Sequence, residues 1–262
     1  MSYLISDSVT MLRRNLLHVV RYPGLSMFTI LGPVVVLLLT VFVFGGTLGA
    51  GLPGVDPEGG RDAYLAYVMP GILLITIAGT AAGAAITVAM DMTEGITARF
   101  RTMAISRAAV LAGHVIGNTI QSVIAVSLVL GVGLLIGFRP TATGLQWLGV
   151  VAVVVLISLA VSWLGVAMGM QAKTVETASN LPLILTVLPL LGSGFVPTAS
   201  MPGPLQVFAQ NQPFTPFIES IRGLLLGTDL QLSLWLSLAW AAAIAIGGYV
   251  WAMVLYERRS VR

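Results

Sequence analysis

Apolar residues run along this chain in long blocks separated by short polar stretches. Six blocks are long enough to cross ~30 Å of hydrocarbon, which takes about 20 residues of helix. They run approximately from Leu25 to Phe44, Tyr64 to Met90, Val110 to Gly137, Gln146 to Met170, Asn180 to Thr198 and Ser233 to Tyr256. Their Val, Leu, Ile and Ala runs do not alternate with polar residues, so they predict membrane helices and not the strands of a barrel. The second block, about 27 residues, would be roughly 40 Å long as a helix and should protrude into the cytoplasm.

Shorter patterns flank the blocks. Ile5, Val9, Leu12, Leu16 and Val20 recur at helical spacing, with Asp7, Arg14, His18 and Arg21 opposite. Residues 1–24 are therefore expected to lie in the membrane plane as an amphipathic helix broken by Tyr22-Pro23-Gly24. With that leader before it and further spans after it, the first block reads as an uncleaved anchor and not a signal peptide. Between blocks two and three, Gly95 can end the span, and Ile96, Phe100 and Met103 then share one face of a short helix with Arg99 and Arg101 turned away. The residues alone leave two readings open: a helix docked in a groove on a soluble protein, or a loop resting on headgroups.

Residues 199–232 are too apolar for a loop in water, with Leu205, Val207, Phe208, Phe214, Phe217, Ile218 and Ile221, yet are interrupted by Pro202, Pro204 and Pro213. A helix from Pro216 to Leu226, capped by Thr215 and closed by Gly227, would be about 16 Å long, half a bilayer. The stretch is expected to enter the outer leaflet and return, with Glu219 and Arg222 paired three residues apart. The competing reading is an amphipathic helix on the outer surface. In the third block His114, Asn118, Gln121 and Ser122 form a polar seam on one helical face, which should face other helices or a wet path, helix-to-helix bonding being the better reading. Glycines four apart, Gly79/Gly83, Gly113/Gly117, Gly133/Gly137 and Gly165/Gly169, permit close helix packing.

Composition agrees: 57% of residues are hydrophobic and 9% charged, too little polar surface for a water-soluble domain of 262 residues. Charge then sets orientation. Ten lysines and arginines fall in the N-terminus, the second and fourth loops and the C-terminus, against three (Arg61, Arg139, Arg222) in the other loops, so both termini are expected inside. Trp147, Trp235 and Trp240 fall near the expected outer boundary and Tyr22, Trp251 and Tyr256 near the inner one. The net charge of +3 reads as orientation and lipid-headgroup contact and gives no ground for nucleic-acid binding.

The missing chemistry narrows the function. The single lysine, Lys173, is not in a phosphate-binding loop, and two histidines with no cysteine do not make the usual metal cages, so no cofactor is expected in this chain. None of the ten acidic residues falls inside the expected spans, which disfavours an ion-coupled carrier. Any transport must then draw on an external motor. One enzyme reading survives the inventory: Ser193 in Gly192-Ser193-Gly194 with His114, as an intramembrane serine protease dyad, although in rhomboid proteases serine precedes histidine.

Two motifs carry a resemblance. Glu94-Gly95, Arg99-Phe100-Arg101-Thr102-Met103 and Ile105-Ser106-Arg107 resemble the first cytoplasmic loop of ABC type-2 exporter permeases, most of all the daunorubicin-resistance branch. Gly192-Ser193-Gly194-Phe195-Val196-Pro197, then Met201 to Ala209 and Gln212 to Gly223, resemble that family's fifth span and returning segment. The resemblance implies an all-α, six-span permease in a bacterial inner membrane. It would pair with a second copy and with two separate ABC ATPase subunits that hold ATP and Mg. It also implies a coupling helix at 95–103 braced by Glu94, a connecting helix at 1–24, a matching acidic residue at Glu176, and an extracellular gate at Phe195, Pro197, Glu219 and Arg222. Ala104 stands where the family often has proline. The cargo implied is a small hydrophobic or amphipathic compound; lipid-linked glycan or polysaccharide is the alternative.

Overall fold

The computed structural model describes residues 23–50, 60–93, 107–228 and 230–258. The expected leader at 1–24 lies almost wholly outside them, and so do Glu94, Gly95, Ile96, Arg99, Phe100, Arg101 and Met103. Among the described residues the secondary structure is helical throughout. In chain order these are α1 (Pro23–Leu39), which continues through a π-helical turn (Thr40–Phe44) into α2 (Gly45–Gly49); α3 (Gly60–Thr93); α4 (Arg107–Leu135); α5 (Gly144–Gln171); the short α6 (Val175–Asn180) and α7 (Leu183–Val187); α8 (Gly203–Asn211); α9 (Phe214–Leu226); and α10 (Gln231–Arg258).

Five helical segments, Thr29–Gly49, Gly60–Thr93, Leu111–Leu135, Gly144–Gln171 and Leu232–Arg258, are long and apolar enough to cross a membrane. They match five of the six expected blocks. The other block, 180–198, is not one helix. Pro182 caps α7 and Pro189 follows it, and a proline inside a helix removes a backbone donor and crowds the carbonyl four residues back. The chain still follows α3 along most of its length, because Ala172 and Ala178 cluster with Ala89, and Gly194 meets Gly71. The α3 residues between those contacts, 71 to 89, rise about 27 Å. This broken helix therefore travels a distance close to the thickness of a bilayer core.

Local chemistry explains where the intact helices stop. Thr143 Oγ1 accepts from Gln146 N and Gln146 Oε1 accepts from Thr143 N, a reciprocal cap that starts α5. At the end of α4, Gly137 adopts φ +115° and Phe138 N donates to Gly133 O, closing the helix with a Schellman motif. Arg139 Nη1 donates to Leu134 O and Phe138 O at the same end.

α3 is the axis of the bundle and packs against α1, α2, α4, α5, α6, α7 and α9. Its most apolar window is 67% buried, against 22% for Thr29–Gly49 and 17% for Leu232–Arg258, so those two segments lie at the periphery of the bundle. On α1 the exposed stripe is Met27, Leu31, Val35 and Leu39, four residues apart. Against α5 the contact is backbone to backbone: a Cβ on Gly165 would come 2.5 Å from Ala81 O, and one on Gly169 would come 2.4 Å from Ala85 O. The Gly165/Gly169 spacing thus acts within the chain, whereas Gly79 has open space beside it.

Candidate functional site

Two polar constellations lie at opposite ends of α3. The first climbs α4. His114 Nε2 lies 3.3 Å from Asp91 Oδ2 on α3, Asn118 Nδ2 donates to Ser162 Oγ on α5 at 2.7 Å, and Ser122 Oγ and Ser158 Oγ share a hydrogen bond of 3.0 Å. From His114 to Ser122 the helix rises about 12 Å, with one polar partner per turn. All six side chains are buried, and in hydrocarbon an unpaired polar group would be costly, so these pairs join α4 to its neighbours. Gln121 stands apart, half-exposed and outside these pairs.

The partners correct one expectation. Asp91 does not lie beyond its span, because α3 continues to Thr93 and Asp91 is only 9% exposed. Tyr256 is buried and lines a small pocket with His114, Asp91, Met170 and Leu111. Ser158 and Ser162 escaped the sequence reading because each sits singly in an apolar run; their spacing of four on α5 mirrors that of Asn118 and Ser122 and was the available signal.

The second constellation surrounds α9, whose helix runs from Phe214 to a left-handed Gly227 (φ +69°). It starts two residues before the expected Pro216, and Thr215 is not its cap: Thr215 Oγ1 donates back to Ala209 O. Phe214, Phe217, Ile218, Ile221 and Leu225 are buried, and the helix packs against α3, α5 and α10. Such burial does not fit an amphipathic helix lying on the surface. Ser237 Oγ on α10 donates to Pro216 O at 2.7 Å and also meets Ser220 Oγ.

Arg222 binds this helix to the rest. Its Nη2 donates to Ser193 O at 2.6 Å and to Tyr67 O at 3.0 Å, and its guanidinium carbon lies 4.0 Å from the centre of the Tyr67 ring. The expected contact ion pair with Glu219 gives way to these carbonyls; the half-buried carboxylate stays close enough to act on Arg222 through its charge. Gln212 does for Leu188 what Arg222 does for Ser193, donating from Nε2 to Leu188 O at 3.0 Å. A broken helix leaves carbonyls without the usual partners, and within a membrane the protein itself must supply donors. The other two residues expected here are close by. Phe195 O accepts from Tyr64 OH at 3.4 Å, and Pro197 O accepts from Ser200 N and Oγ.

The same geometry removes the protease reading. Arg222 bridges Ser193 O to Tyr67 O on α3 and the neighbouring Gly194 meets Gly71, while His114 faces Asp91. Residues 71 and 91 of one helix are about 30 Å apart, so no dyad forms.

A bundle of apolar helices around one long axis, with a half-length helix buried beside a broken one, is the architecture of a membrane permease. The chain belongs to the ABC-2 type transporter family, whose model matches residues 7–226. Among individual proteins it is similar to the daunorubicin resistance ABC transporter permease protein DrrB1 of Streptomyces coeruleorubidus, with 27% identity over 247 residues covering 92% of this chain and 84% of the relative. It is also similar to the probable doxorubicin resistance ABC transporter permease protein DrrC of Mycobacterium tuberculosis, 26% identical over 243 residues, covering 88% and 83%. It is a multi-pass protein of the bacterial plasma membrane and a transport subunit.

Proposed function

We propose that this permease is the membrane half of an ATP-driven exporter of hydrophobic or amphipathic compounds, with drug-like molecules as the first class to test. The observation that carries this reading is the family match across residues 7–226, supported by relatives whose names specify daunorubicin and doxorubicin resistance. Two copies would pair with two separate ABC ATPase subunits, which would bind ATP and Mg. The broken helix would serve as the fifth of six spans, which places both termini in the cytoplasm and residues 199–232 at the outer face. That orientation draws on the excess of lysine and arginine in the N-terminus, second and fourth loops and C-terminus.

On this reading residues 95–103, braced by Glu94, seat in the ATPase, and the α8–α9 segment with Phe195, Pro197, Glu219 and Arg222 closes the outer end of the path. ATP-driven approach of the two motors would shift the helices on either side of residues 94–106 and open the outer end by moving α9 against the broken helix. The support for a gate there is that α9 is fastened to the broken helix by a few side-chain donors and not by a continuous backbone.

The test is reconstitution with the cognate ATPase in liposomes. ATP hydrolysis is expected to depend on the permease, to rise with anthracycline-like compounds, and to drive their accumulation against a gradient. Phe100→Asp should abolish ATPase binding in a pulldown while leaving membrane insertion intact. Uphill transport by the permease without any ATPase would overturn the reading.

A further inference from the structure

The end of the bundle opposite Arg222 holds an ionisable pair that the proposed gate does not use. His114 and Asp91 face each other at 3.3 Å with side chains only 9% and 12% exposed. Around them is an apolar cluster separate from the main core, in which Val88, Leu111, Val166, Met170 and Tyr256 bring α3, α4, α5 and α10 together. α3 ends two residues beyond Asp91, at Thr93, and α4 begins seven residues before His114, at Arg107. The pair thus ties the two helices that flank residues 94–106, about half a turn from the end of one and two turns from the start of the other.

Stability alone is a poor account of such a pair. Taking two ionisable groups out of water costs so much that well-packed apolar replacements are often neutral or stabilising, while removing one partner alone leaves the other orphaned. Elsewhere along α4 neutral pairs, Asn118 with Ser162 and Ser122 with Ser158, join it to α5 with no ionisable group. A directional tie adds something else: it holds two helix ends at one spacing, so that they are displaced together.

We infer that His114 and Asp91 are positioning residues for energy coupling, holding the ends of α3 and α4 so that a push on residues 94–106 reaches both helices as a unit. The inference rests on the reading that this segment contacts the ATPase. It concerns residues that would not touch cargo or nucleotide.

The experiment uses the full permease with its ATPase in liposomes and reads thermal stability, ATPase binding and cargo exported per ATP hydrolysed. His114→Leu and Asp91→Leu singly are expected to lower stability. The double variant regains stability and ATPase binding but exports at least fivefold less per ATP. Exchanging the two residues, Asp91→His with His114→Asp, restores at least half of the wild-type ratio. If the apolar double variant does not accumulate, Asp91→Asn and Asp91→Ala decide, because only the amide keeps an acceptor facing the imidazole and only it should keep the ratio. A stable double variant, or an Asp91→Ala variant, that exports at the wild-type ratio overturns the proposal alone. Absence of ATPase bound to the unaltered permease overturns the reading of residues 94–106 and the proposal with it.

Discussion

At the Asp91 end of the bundle, polar side chains on intact helices meet other side chains: His114 with Asp91, Asn118 with Ser162, Ser122 with Ser158. At the Tyr67 end, Arg222 and Gln212 meet main-chain carbonyls, those of Tyr67, Ser193 and Leu188. The difference follows from continuity. Where a helix is unbroken its carbonyls are already bonded and only side chains need partners; where prolines interrupt it, the backbone becomes the acceptor in need. Losing one member of a neutral side-chain pair leaves one modest group unpaired, whereas losing Arg222 strips Ser193 O of its donor, removes an additional bond from Tyr67 O on α3 and takes a cation from an aromatic face. The two ends should therefore differ sharply in their tolerance of substitution.

The largest effect is expected at Arg222. Arg222→Met keeps much of the side-chain volume but abandons Ser193 O, costing about 1–3 kcal/mol for the unsatisfied acceptor, and gives up the cation on the Tyr67 ring, about 0.5–2 kcal/mol more. Thermal unfolding in detergent should shift down markedly, and reconstituted export should fall more than ATP hydrolysis does; equal loss of both would remove α9 as the closing element. Arg222→Lys should recover little, since a single ammonium lacks the planar fork that serves two acceptors and stacks on Tyr67.

A middle effect is expected where the axis meets α5. Gly169→Ala drives a methyl against Ala85 O, and with helical backbone on both sides nothing flexible can yield, so about 1–3 kcal/mol is lost to overpacking. Gly79→Ala, with open space beside it, should leave the unfolding midpoint unchanged. If the two substitutions behaved alike, the backbone contact between α3 and α5 would not be the rigid element inferred from the distances.

The smallest effect belongs to the seam. Asn118→Leu breaks one buried bond to Ser162 and should cost about 0.6–2 kcal/mol, the range of single hydrogen bonds between membrane helices. Gln121→Leu, on the same helix but outside the pairs, should be neutral in the same measurement. A large loss at Asn118 would mean that the Asp91 end is as intolerant as the Tyr67 end, and the contrast would fail.

Hydropathy made the long helices readable: the blocks expected at Val110 to Gly137 and Gln146 to Met170 became Arg107–Leu135 and Gly144–Gln171. The half-length helix ending at Gly227 was equally legible, because a glycine free to take positive φ marks the stop. What failed had a common physical origin. The block at 180–198 read as one span because a window average counts apolar residues and is blind to what Pro182 and Pro189 do to hydrogen bonding. Arg222 was assigned to Glu219 because sequence spacing displays local side-chain partners, whereas its actual acceptors are carbonyls more than twenty residues away, and a carbonyl has no letter in the sequence. Asp91 was placed outside its span because a boundary drawn three residues too early, at Met90, hid its position facing His114. The residues expected to couple to the ATPase lie outside the described residues.

The glycine contacts between α3 and α5 have a mechanical consequence. With carbonyls of one helix seated against bare α-carbons of the other, no compressible layer of side chains separates them, and a tilt of either is inherited by its neighbour without slack. The two helices form an axle. A displacement imposed on one of them would therefore reach the other at once.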